Sequence, residues 1–228
     1  MSRLKTLGAV LICLTASAVE AGSVELPFQI GGAYSIPVTS MKEARFTATI
    51  RQQYDFSCGS AALSTLLTHH YKLPVSEDKV FEEMFRLGDQ QKIRREGFSL
   101  LDMKRYLESH GFSADGFQEP IEKLVAAKIP AIVLINEAGY NHFVVVKGVR
   151  NGRVLLGDPA GGTRAVTEAA FHKMWVNQVL FVVSNRQDLA SFNVAADWGV
   201  APTAPIGGSI GREGLAGIVI PKLGSGDF

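Results

Sequence analysis

Between Cys58 and Lys128 the apolar residues fall at helical intervals. Ala62, Leu63, Leu66, Leu67 and His70 share one face of a helix expected from Cys58 to Tyr71. Ser76 can cap a second helix, with Glu77 and Asp78 in its first turn, where the helix dipole favours them, and Val80, Phe81, Met84 and Phe85 as its apolar stripe. Ser99 followed by Asp102 has the form of a capping box, and Gly111 can close that third helix. Pro120 suits the first turn of a short helix ending near Lys128. The stretch Gln90 to Arg95 is polar and charged and reads as a connector.

Beyond Pro130 the period changes. Pro130 to Asn136, His142 to Val149, Arg153 to Asp158, Arg164 to Val166 and Gln178 to Ser184 read as strands, with Asn151-Gly152 as a tight hairpin turn and Thr167 to Met174 as a short helix. An earlier strand is expected at Arg45 to Arg51, where Phe46, Ala48 and Ile50 alternate. Helices followed by a mostly antiparallel sheet give an α+β fold. Residues 22–46 form an extended, loop-rich segment, with a piece at Ser23 to Ile30 and a Gly31-Gly32 turn. Residues 47–185 form the domain. Residues 186–228, rich in Gly, Ala, Pro and Ser, read as a tail without its own core. The apolar island Ile218-Val219-Ile220-Pro221 in that tail can dock or pair with a sheet edge.

The N-terminus has the three parts of a signal peptide: Arg3 and Lys5, an apolar run from Leu7 to Ala18, and Val19-Glu20-Ala21 before a cleavage point. Residues 1–21 would be removed, Cys13 among them, which implies a periplasmic address in a double-membrane bacterium. A lipid anchor on Cys13 is disfavoured by Ile12, where a small residue is wanted. No other apolar stretch reaches bilayer length, so no transmembrane span is expected in the mature chain. The chain has 228 residues, 46% of them apolar, which suffices for one core after leader and tail are set aside. The net charge of +1 and the lack of any basic run give a nucleic-acid partner little support, and none is expected. No metal-ligand cluster is visible. Gly207 to Gly211 lacks the strand-before, helix-after context of a phosphate loop, so no cofactor is expected.

Cys58 would then be the one cysteine of the exported chain, unable to form an internal disulfide. It starts an apolar, small-residue helix, where backbone N–H groups and the dipole favour a thiolate. The alternative is a small buried residue at a helix end. His142, which opens an apolar strand, is the best imidazole partner. His69 and His70 lie more than two turns along the cysteine's own helix, His110 sits beside a terminating glycine, and His172 belongs to a short surface helix. Asp158 ends the next strand and can orient an imidazole, or serve only as a turn aspartate before proline. A tight Asn151-Gly152 hairpin sets Asp158 opposite Val145, three residues from His142. A bulge or bend is therefore needed, for which Gly148 and Gly157 are plausible places. A glutamine amide ahead of the thiol, from Gln52 or Gln53, can serve a developing oxyanion.

These residues together resemble the peptidase C39 family of papain-like, bacteriocin-processing proteases. The matching pieces are Gln52 with five residues between it and Cys58, Gly59 and its small-residue helix, His142 leading into Phe143-Val144-Val145-Val146, and Asp158-Pro159-Ala160-Gly161. The resemblance covers about residues 47 to 184. It implies a papain-like cysteine protease fold, with Cys58 as nucleophile, His142 as general base and acid, Asp158 as orienter and Gln52 as oxyanion donor. It also implies that the hairpin register does bring His142 to Asp158. The chain departs from the family in Ser57, where an acidic residue is frequent, and in lacking the membrane and ATPase domains of exporters. Its stand-alone, exported layout is similar to the protease of bacterial functional-amyloid (Fap) export systems, which implies a polypeptide substrate among amyloid-system or secretion components. Other readings are a non-catalytic peptide-binding or secretion-adaptor module on the same fold, and acyl transfer to an amine.

Overall fold

The computed structural model describes residues 23–28, 32–37 and 39–201. The expected signal peptide, the Gly207-Gly208-Ser209 stretch and the island at Ile218 to Pro221 lie outside them. Two units divide the chain. In the first, β1 (Ser23–Phe28) and β2 (Gly32–Pro37) pair antiparallel, with Ser23 opposite Pro37.

The second unit begins with α1 (Met41–Ala44) and continues with the helices that the apolar spacing predicts. Cys58–Thr65 is α2, and its last turns, Leu66–His70, widen into a π-helix. α3 (Glu77–Leu87) and α5 (Leu100–Ser109) follow, α5 with a complete capping box between Ser99 and Asp102. Between them lies α4 (Gln90–Glu96), where the sequence suggests a connector. Asp89 caps it by accepting from the N–H groups of Gln91 and Lys92, and only Ile93 is buried, so no apolar period announces the helix. α6 is Glu122–Ala127, α7 is Glu168–Met174, and α8 is Ala195–Gly199.

Six strands form one antiparallel sheet in the order β3-β8-β4-β5-β6-β7. They are β3 (Ala114–Gln118), β4 (Ala131–Glu137), β5 (Tyr140–Arg150), β6 (Arg153–Asp158), β7 (Gly162–Thr167) and β8 (Val179–Val183). β3 escapes a pattern search because it is an edge strand that buries only Ala114. Ala138-Gly139 and Asn151-Gly152 each place two successive residues at positive φ, the twist that two-residue hairpins require. The expected strand at Arg45 to Arg51 is not one. Residues 45–48 are turn, tied down by Thr163 N–H donating to the Arg45 carbonyl at 2.7 Å. Phe46 instead receives the Arg51 guanidinium over its ring, which explains an apolar residue there without a strand.

Alternation along β5 divides the core. Phe143 and Val145 pack with Leu63, Leu66 and Leu67 of α2 and its continuation, while Val144 and Val146 pack with Leu124 and Phe171 of α6 and α7. Helices thus cover both faces of the sheet, which makes the fold α+β. Chain expected to be tail, residues 187–201, contains a 3₁₀ turn and α8, and Trp198 there is buried. Its apolar residues, Leu189, Phe192, Val194 and Trp198 among them, follow no sustained helical or strand period, so the sequence does not reveal that it docks.

Candidate active site

Cys58 is the first residue of α2, only 8% exposed and free of any disulfide. The loop before it is held from beneath by Glu77, which a sequence reads only as a first-turn acid. The Glu77 carboxylate accepts the Ser57 hydroxyl at 2.5 Å, the Gln53 N–H at 3.0 Å and, more distantly, the Ser60 hydroxyl. Gln52 is half-buried and Gln53 exposed, so Gln52 is the one of the pair turned inward. The Gln52 N–H donates to the Pro159 carbonyl at 3.1 Å, tying this loop to the end of β6. Its side-chain amide donates to the Tyr54 carbonyl at 3.1 Å and keeps a second N–H.

His142 and Asp158 come together. Nε2 of His142 lies 3.3 Å from Oδ2 of Asp158, both residues are buried, and Nδ1 of the ring is buried without a partner. Asp158 is held in turn. Its Oδ1 accepts the N–H groups of Ala160 and Gly161, and its Oδ2 accepts Nε of Arg164 at 3.1 Å. Tyr140 stacks on the imidazole with ring centroids 5.6 Å apart and donates its hydroxyl to the Asp55 carbonyl at 2.7 Å, joining β5 to the loop before the thiol. Tyr140, Arg164 and Glu77 carry no motif in the sequence: the Tyr140 hydroxyl reaches Asp55, Arg164 spans Glu137 and Asp158, and Glu77 reaches Ser57, pairings that only the fold creates.

The register explains the His–Asp contact. Near the turn, β5 and β6 pair as a tight hairpin does, with Arg150 opposite Arg153 and Gly148 opposite Leu155. The pairing then shifts, so that Val146 faces Leu156 and Val145 faces Gly157, with Lys147 left over as a bulge beside Gly148. In the shifted register Asp158 falls level with Val144, on the same face as His142 and two residues away, roughly 7 Å along the strand. Side chains bridge that gap. Without the bulge Asp158 would face Val145, and the two side chains would lie on opposite faces of the sheet.

Burial pushes the Cys58 thiol up from its ordinary value, opposed by the N–H groups of Phe143, Gly59 and Cys58 itself, with the Asp158 charge adding to the rise. The Phe143 N–H near the sulfur belongs to the residue immediately after His142. Asp158 is held at about 2. Burial alone would raise it, but the hydrogen bond and charge of His142, the Ala160 N–H and Arg164 outweigh that. Glu137, His142 and Asp158 also lie close enough to suggest a metal site. The cation among them is the Arg164 guanidinium, 2.6 Å from Glu137 and 3.1 Å from Asp158.

Cys58 opens on a cleft of about 550 Å³, walled by Tyr140 and Phe143 on one side and by Arg94 to Phe98 on the other. The remaining histidines lie elsewhere. His70 is buried against the Ser191 carbonyl, His110 stacks on Tyr106, and His172 packs against Trp175.

A thiol at a helix start, beside a strand that carries a carboxylate-held imidazole, is the architecture of a cysteine peptidase. The peptidase C39 family matches residues 47–187, and the chain belongs to it. It is 42% identical over 173 residues to the probable functional amyloid protease FapD of Pseudomonas aeruginosa, covering 76% of this chain and 75% of the relative. It is 39% identical over 182 residues to the protein of the same description from Pseudomonas fluorescens, covering 79% and 80%. Among solved structures, the peptidase domain of Streptococcus ComA, a bifunctional ABC transporter involved in a quorum-sensing pathway, has the same fold. Its TM-score is 0.50 at 19% identity, over 60% of this chain and 97% of that domain. Among the described residues no helix is long and apolar enough to cross a membrane.

Proposed function

We propose that this cysteine peptidase works through Cys58, His142 and Asp158, with Gln52 and the Cys58 N–H as oxyanion donors. Nδ1 of His142 takes the thiol proton as the sulfur bonds to the carbonyl carbon of the scissile peptide, and the π pair moves onto oxygen. The two N–H donors meet that oxyanion. As the C=O re-forms, the C–N bond breaks and the imidazolium gives its proton to the leaving amine. Water then attacks the thioester, His142 accepts its proton, and the acid is released as Cys58 recovers its hydrogen. Asp158 stays ionised throughout and stabilises the imidazolium without taking its proton.

The observation that carries this reading is the division of labour on one ring. Nε2 of His142 is held by Asp158, and Nδ1 is left buried and unpaired one residue before the N–H that approaches the sulfur. The names of the two Pseudomonas relatives support a substrate within a functional-amyloid system, either an exported protein or its leader. The N-terminal sequence supports export to the periplasm by a cleaved signal peptide. Mass spectrometry of exported proteins from strains carrying the native chain, Cys58→Ala or His142→Ala tests the reading. Both variants are expected to lose the cleaved product while the protein remains folded. Cleavage that persists in Cys58→Ala overturns it.

A further inference from the structure

The bulge that aligns His142 with Asp158 is held by chain that follows the span matched by the family. Lys147, the extra residue, is fully buried. Its ammonium lies 2.8 Å from the Asp197 carboxylate of α8 and donates to the Ala48 carbonyl at 2.6 Å. β4 stops pairing with β5 at Val146, which leaves the next stretch of that edge open. Asn193 takes it. Its backbone N–H donates to the Lys147 carbonyl at 2.9 Å, and its side-chain amide donates to the Val149 carbonyl at 3.1 Å. Gly148 makes room for this, since a Cβ there would sit 2.3 Å from Oδ1 of Asn193. Asn193 itself adopts φ 58, a left-handed conformation that asparagine tolerates. On either side, Ser191 N–H donates to the His70 carbonyl at 2.9 Å, and Trp198 is buried beneath the Arg150 guanidinium.

We infer that residues 191–198 are a clamp that positions the His142 imidazole against Asp158 by locking the Lys147 bulge, with Lys147, Asn193 and Asp197 as positioning residues. This rests on the catalytic reading of His142 and Asp158. A bulge forgoes a ladder partner, so something must favour it over the continuous register. Here Lys147 finds its counter-charge only at the bulged position, and its carbonyl finds a donor there. Besides Asp197, the titratable groups facing Lys147 are His69 and His70, whose imidazoles burial and the Lys147 charge push toward the neutral form. Removing Asp197 leaves a buried ammonium without its partner. Slipping Lys147 out of the bulge relieves that, and the same one-residue slip carries Asp158 to the opposite face from His142.

Alkylation of Cys58 by iodoacetamide, followed by peptide mass spectrometry on the full chain, tests this without a substrate. At pH 6 the rate reports a thiolate made by His142, whereas at pH 9.5 it reports a thiolate made by solvent. Asp197→Ala and Asn193→Ala are each expected to slow labelling at least tenfold at pH 6 and less than twofold at pH 9.5, with Asp197→Glu restoring the pH 6 rate. Circular dichroism and thermal melts establish that the variants are folded at the assay temperature. Should Asp197→Ala fail to fold, Asn193→Ala, which keeps the ion pair, decides the matter. Unchanged pH 6 labelling in the folded clamp variants overturns the clamp, and so does an equal loss at both pH values. His142→Ala is the separate control. If it keeps the native pH 6 rate, the catalytic role of His142 fails and the clamp fails with it.

Discussion

The Glu77 carboxylate grips the Ser57 hydroxyl at 2.5 Å, one residue before the sulfur. An acid from α3 thereby fixes the loop that aims the thiol. Glu77→Ala leaves the Ser57 hydroxyl and the Gln53 N–H without their acceptor and is expected to cost about 2 kcal/mol, measured by urea unfolding. Burial raises Glu77 above the usual carboxylate range, with the hydrogen bonds of Ser57, Gln53 and Ser60 opposing it. Its contribution to stability is therefore complete below the ordinary carboxylate value and is lost as pH climbs through the raised one. Glu77→Gln keeps the shape and should flatten that decline as pH rises above the ordinary carboxylate range.

Asp158 has the opposite sign. Its folded value of about 2 lies below the ordinary 3.8, so its stabilisation is complete above pH 4 and disappears as pH falls toward 2. The difference corresponds to about 2 kcal/mol. Asp158→Asn should lose that amount at pH 7, show a flatter acid-unfolding profile, and lower kcat by at least ~10²-fold with a far smaller change in KM.

Gly59 follows Cys58 for a steric reason. A Cβ at this position would lie 2.9 Å from Cβ of Phe98 and 3.0 Å from the Met103 methyl. The Phe98 atom is the stem of its side chain and cannot swing away. Gly59→Ala should cost about 1–3 kcal/mol and displace the start of α2, reducing kcat more than a comparable loss of stability elsewhere would. Thermal melts alongside turnover measurements separate the two effects.

Arg164 neutralises Asp158 and Glu137 together, yet it acts on Asp158 less strongly than His142 does. Arg164→Met should therefore raise the acid edge of the pH–activity profile by less than about one unit, and not abolish turnover. A profile that is unmoved, or an inactive but folded enzyme, contradicts this ranking.

The legible parts of the fold were those whose signals are local. The α5 capping box, the Asn151-Gly152 turn and the apolar stripe of α2 each need only a few neighbouring residues. Cys58 and Asp158 stood out because each occupies the end of a recognisable element, and His142 because it leads into the apolar run Phe143 to Val146. What escaped was non-local or sparse. Ile93 alone marks α4 on its buried face, and β3 buries one residue of five. The need for a bulge could be counted from the turn, but its occupant could not. That depends on Asp197, fifty residues beyond Lys147, in a stretch that reads as part of a Gly-, Ala-, Pro- and Ser-rich tail. Gln52 could be told from Gln53 only by burial, since both are amides in one loop.

A sulfur shielded by its surroundings and biased toward its protonated form has a consequence for durability. Oxidation to sulfenic acid requires exposure and thiolate character, and the resting Cys58 is short of both. A thiol held in this way is slow to be oxidised while it rests, so its chemistry is kept for the moment at which a base withdraws its proton.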